Sequence, residues 1–122
     1  MDSLLKVSII VPTLNEAQGL TETLTQIQQL LPYELVVSDG GSHDDTLEIA
    51  EEFTEHLVKG SAGRALQMNA GARVATGDIF LFLHADSRIE PASYEKMLHS
   101  LGDSEKIGGA FSLCIDSDKW SL

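Results

Sequence analysis

At 122 residues, 43% hydrophobic and 22% charged, the chain has the size and composition of one soluble globular domain, with a buried core and no room for a second. Nineteen acidic residues against eight basic ones leave a formal charge of -11, which repels phosphate backbones and anionic lipid and excludes general nucleic-acid or polybasic membrane binding. A phosphorylated ligand would need backbone N–H groups, a local Arg or a divalent cation to overcome that field.

Val7 to Val11 is a short β-branched run closed by Pro12, the pattern of a strand buried in a parallel sheet. From Ala17, the apolar positions Leu20, Leu24, Ile27 and Leu31 recur at helical spacing until Pro32 ends them. Glu34 to Asp39 predicts a second buried strand running into the Gly40-Gly41-Ser42 turn. Ser42 and Asp45 resemble a helix-start box, and Leu47, Ala50, Phe53 and Leu57 give the next helix its stripe. Acidic Asp44, Asp45 and Glu48 complement that helix's dipole.

Leu57 to Lys59 predicts a short strand before the glycine-containing turn Gly60 to Gly63. Leu66, Ala70 and Val74 then mark a helix rich in small residues, suited to close packing. Asp78 to Asp86 is the strongest strand pattern and ends in the polar cluster His84-Ala85-Asp86. Pro91 opens a helix to Leu101, and Gly108 to Ile115 predicts a last strand. This alternation implies an α/β fold, a mostly parallel Rossmann-like sheet with helices on both faces. Ligands bind such sheets at the carboxyl ends of the strands, where Thr13, Asp39 and Asp86 fall.

Cys114, the one cysteine, permits no internal disulfide, and the longest apolar run, Ile79 to Leu83, is far too short to span a bilayer. With no basic stretch ahead of an apolar segment near Met1, the expectation is a cytoplasmic protein without a transmembrane segment. His43, His56 and His99 fall in a turn or near helix ends, without metal-ligand spacing. Trp120 reads as a packing or partner contact.

Four segments in order, VSIIVPTLNE, VVSDGGSHDDT, GRALQMNAGARVATGD and IFLFLHADSRI, resemble family 2 glycosyltransferases across nearly the whole chain. The resemblance implies a GT-A fold whose nucleotide-sugar-binding half occupies residues 1–122 as a single domain, truncated before the acceptor half. It implies a nucleotide-diphospho-sugar donor, a UDP-sugar, for inverting transfer to an acceptor of unknown identity. Carried across, Thr13 and Glu16 line the nucleoside pocket and Asp39 accepts a hydrogen bond from the base, with Pro12, Asn15, Gly40 and Gly41 among the donor-binding residues. An ionised carboxylate only accepts, so it suits the imide N–H of uracil. The Gly63-Arg64 loop, at a helix start, contacts the donor's nucleotide or phosphates, Asn69 falls on the donor-facing helix, and His84 and Ala85 are donor-binding as well.

Asp86 matches the last carboxylate of the family's Asp-x-Asp and implies a divalent metal bridging the diphosphate. His84 stands where the first Asp is usual. Imidazole suits manganese and serves magnesium poorly, so Mn2+ is expected ahead of Mg2+. No residue matches the family's general base, and neither Asp116 nor Asp118 has a context that marks it as catalytic. The alternative is therefore a non-catalytic nucleotide-binding module or a fragment without its base. A homo-oligomer, or a partner completing the fold, is expected on the same ground. A nucleotidyltransferase would show a Gly-rich basic loop after strand one, which Thr13 to Glu16 is not. The blend of GRALQMNAGA with His84-Ala85-Asp86 resembles a subgroup labelled arsenosugar-associated, a label that implies no acceptor.

Overall fold

The computed structural model describes residues 6–86 and 90–102. Eight elements follow in chain order: β1 (Val7–Thr13), α1 (Ala17–Gln29), β2 (Glu34–Asp39), α2 (Thr46–Phe53), β3 (His56–Lys59), α3 (Arg64–Val74), β4 (Ile79–Phe82) and α4 (Pro91–Gly102). The strands form one sheet in the order β3-β2-β1-β4, and every pairing is parallel. The expected strand at Gly108 to Ile115, Cys114, Asp116, Asp118 and Trp120 lie outside the described residues.

Parallel strands with helical crossovers are covered on both faces, which explains why β1 and β2 are buried along their whole lengths. Alternate residues divide the core in two. Val7, Ile9, Val11, Leu35, Val37, Ile79 and Leu81 face Leu20, Leu24 and Ile27 of α1, Ala50 of α2 and Tyr94 of α4. Ile10, Val36 and Phe82 face the other way, with Met68 and Ala72 of α3 packed against them. Burial of the Tyr94 ring pushes its phenol pKa up to about 12. No described helix is long and apolar enough to cross a membrane.

Four local expectations are corrected. Helix α1 stops at Gln29, so Leu30 is buried and Leu31 is 86% exposed with φ of 55°. Pro32 disfavours the right-handed helical region for the residue before it, which turns Leu31 out of the stripe. Helix α2 begins at Thr46 with Asp45 at its N-cap, not at Ser42, and Leu57 belongs to β3. His56 opens β3 rather than ending a helix, its Nδ1 lying 3.6 Å from Glu34 Oε2.

The largest correction is in α3. Leu66 and Val74 are exposed, and the buried positions are Gln67 and Gly71. A Cβ at Gly71 would stand 2.5 Å from Ile10 Cγ2, so a glycine here lets the helix backbone lie against β1. The close approach suggested by the small residues is thus real. The polar residue that shares the face has a different purpose, described below.

Candidate functional site

The carboxyl ends of β1 and β2 are tied together by the Asp39 carboxylate. Its Oδ1 accepts the hydroxyls of Thr13 at 2.7 Å and Ser42 at 2.6 Å, and its Oδ2 accepts the N–H groups of Gly41 at 2.9 Å and Ser42 at 2.8 Å. Burial opposes ionisation, but the Ser42, Thr13 and Gly41 hydrogen bonds outweigh it and hold the carboxyl below its usual pKa. A carboxylate offers about four lone-pair sites, so this turn uses all of them. Gly41, at φ of 102°, supplies the left-handed residue that folds the turn back on Asp39.

The loop after β1 docks on the same turn. Asn15, at φ of 55°, accepts the His43 N–H through its side chain at 2.8 Å, while its own N–H donates to the Ser42 hydroxyl at 2.8 Å. Asp44 accepts N–H groups at both helix starts, from Ala17 at 3.2 Å and Thr46 at 3.0 Å, as well as the Thr46 hydroxyl. The Thr46 hydroxyl contact leads in holding the Asp44 carboxyl below its usual value. Asn15 and Ser42 thus act as loop clasps; neither caps a helix.

Gln67 joins the third segment to this rim. Its Nε2 donates to the carbonyls of Thr13 at 2.8 Å and Ser38 at 3.0 Å, and its Oε1 accepts the Gly63 N–H at 3.1 Å. Gly40 leaves it room, since a Cβ there would meet Gln67 Oε1 at 2.7 Å and Ala62 Cα at 2.9 Å. Gly63, at φ of 144°, turns the chain into α3 and places Arg64 at the helix's first position. Unpaired N–H groups of a helix start and a guanidinium together favour an anion.

A cavity of about 340 Å³ opens at this end of the sheet. Of the residues singled out in the sequence, Pro12, Thr13, Glu16, Gly63, Arg64 and His84 line it, joined by Leu14 and Gln67, which sequence reasoning missed. Asp39 lines a neighbouring cleft of about 430 Å³ between β3 and α3, and Gln67 lines both. Gly40 and Gly41 shape the turn beneath, Ala85 is buried, and Asn69 lies exposed on α3 outside the cavity's lining. Gln67 could have been found as the polar residue one helical turn after Gly63 and one before Gly71.

Beyond β4, His84 Nδ1 lies 2.6 Å from Asp86 Oδ1. The Asp86 N–H approaches the same ring nitrogen at 3.4 Å, so the two side chains form one local cluster. Burial raises the Glu16 carboxyl above its usual value; Asp86 and Asp44 add to this, and His84 opposes it. Among the described residues no group of three His, Cys, Asp or Glu side chains is arranged to hold a metal unaided. Asp86 with His84 supplies an oxygen and a nitrogen donor, a set that fits a cation whose remaining positions are filled by phosphate oxygens. At the opposite end of the sheet, a larger cavity of about 720 Å³ is lined by Glu34, Glu51, Glu52 and Glu55 and repels anions.

The sequence matches the model of glycosyl transferase family 2 over residues 8–120. It is 33% identical over 112 residues to a dolichol-phosphate mannosyltransferase of Pyrococcus furiosus, covering 84% of this chain and 32% of that one. It is 42% identical over 94 residues to a PGL/p-HBAD biosynthesis glycosyltransferase of Mycobacterium tuberculosis, covering 70% and 37% respectively. The chain spans about a third of the length of these curated relatives. The fold is similar to that of glucosyl-3-phosphoglycerate synthase from M. tuberculosis, with a TM-score of 0.71 at 24% identity over 83% of this chain and 41% of that one. That synthase was crystallised with UDP and Mn2+, and also with UDP and Mg2+.

Proposed function

Because the chain belongs to glycosyl transferase family 2, we propose that it binds a nucleotide-diphospho-sugar, a UDP-sugar, in the cavity at the carboxyl ends of β1 and β4. The observation that carries this reading is the composition of the cavity. In a chain of net charge -11, Arg64 and the start of α3 meet His84 around one opening. Asp39 reads the base on this account from the cleft that adjoins the cavity, where a uracil imide N–H takes the place of the part-buried Ser42 hydroxyl while the buried Thr13 hydroxyl stays in place. Pro12 and Leu14 offer the base apolar surface.

Asp86 and His84 would hold the divalent cation, manganese in preference to magnesium, together with the donor's diphosphate. Such a cation, when bound, offsets the charge that develops on the leaving nucleoside diphosphate. The chain's own residues bind and orient the donor in this reading, with Glu16 on the cavity wall. The wider activity is inverting glycosyl transfer, supplied from a cytoplasmic pool of nucleotide sugar.

Calorimetric titration with a panel of nucleoside diphosphates, each with and without manganese, tests the reading. UDP binding that strengthens with the metal is expected; no heat from any of the panel would remove the donor-site assignment.

A further inference from the structure

We propose that Gln67 is the positioning residue of the donor site, acting on the nucleotide diphosphate through Arg64; the proposal rests on the donor reading above. The Gln67 side chain is 6% exposed and commits both amide N–H groups and its carbonyl to three backbone partners. Those partners belong to three separate segments. Thr13 ends β1, Ser38 precedes Asp39 in β2, and Gly63 forms the turn that delivers Arg64. One planar amide thus sets the separation between the Asp39 turn and the Arg64 turn, and it forms a wall common to the two cavities beside them.

The chemistry requires an amide. A donor pair facing two carbonyls and an acceptor facing an N–H are available on one side chain only in Gln or Asn, and the distance to α3 needs the longer of the two. Met in its place fills the space but leaves two carbonyls and one N–H buried without it. Glu keeps the acceptor and sets a carboxylate against two carbonyl oxygens. Gly63 sits at φ of 144°, a conformation that suits glycine, and its N–H is held by the Gln67 side chain while its carbonyl accepts the Gln67 backbone N–H at 2.8 Å.

A double-mutant cycle between Gln67 and Arg64 tests the proposal, read as UDP affinity by calorimetry. Gln67→Met is expected to weaken UDP binding about tenfold in the wild-type background. It is expected to have little further effect once Arg64→Ala is present. Unchanged affinity in Gln67→Met, or losses that simply add, would overturn the positioning role. If the Met variant melts below the assay temperature, Gln67→Glu carries the same cycle. Its lost affinity, relative to wild type at each pH, should recover as the pH falls through the carboxyl pKa and a donor is restored, and absence of recovery would count against the proposal. A wild-type protein that does not bind UDP at all would instead remove the donor reading, which keeps the two failures distinct.

Discussion

Thr13 and Asp39, the last residues of β1 and β2, stand opposite each other in the parallel register and are joined by a 2.7 Å hydrogen bond from the Thr13 hydroxyl to Asp39 Oδ1. Both are 1% exposed, so this bond closes the sheet beneath the site without solvent competing for it. Thr13→Val keeps the shape and removes the donor. It should destabilise the fold by about 1–2 kcal/mol, while Thr13→Ser stays near wild type. Urea unfolding of the three proteins measures the difference.

Protonation of Asp39 should act on the same turn. Its pKa is lowered in the folded chain, so its contribution to stability is fully present above the ordinary aspartate value of about 3.9 and is lost as the pH falls below that, through the lowered value. The urea midpoint should therefore drop along that acid limb. Asp39→Asn should flatten the limb relative to wild type, since the group that titrates there is gone.

Two glycine substitutions separate close packing from helix propensity. Gly71→Ala brings a Cβ to 2.5 Å from Ile10 Cγ2 and should cost about 1–3 kcal/mol. Gly19→Ala lies in α1 with nothing within 4 Å and should stabilise by about 0.5–1 kcal/mol. Thermal melts of the two variants should move in opposite directions.

The strand and helix order was readable because β1 and β2 are continuous apolar runs, a pattern set by burial on both faces. The rim was readable for the same reason, since a polar cluster after each run must fall at a strand's carboxyl end. The detail of α3 was not. Periodicity assumes that the apolar residues face inward, and here Gly71 and Gln67 do so, because backbone contact and hydrogen bonding replace side-chain packing. Ser42 misled similarly. A Ser three residues before an acid resembles a helix start, but the Asp39 carboxylate three residues upstream competes for its hydroxyl. Leu31 fell outside the stripe through the backbone preference set by Pro32, which hydrophobic spacing does not register.

Metal preference should follow His84. Replacing it with the oxygen donor of His84→Asp should narrow the advantage of manganese over magnesium in supporting UDP binding. Asp86→Ala should weaken cation-dependent binding by roughly 10–100-fold or more. Titrations of UDP at fixed manganese and at fixed magnesium report both variants.

The central claim is that the carboxyl rim of the sheet receives the nucleotide diphosphate. Amide chemical-shift mapping of the labelled chain with UDP and magnesium tests it most directly, because the two ends of the sheet each carry a cavity. Perturbation concentrated at residues 13–16, 39–42, 63–67 and 84–86 is the predicted result. Shifts centred instead on residues 33–35, 51–56 and 76, around the glutamate-lined cavity, or no shifts at saturating UDP, would contradict it.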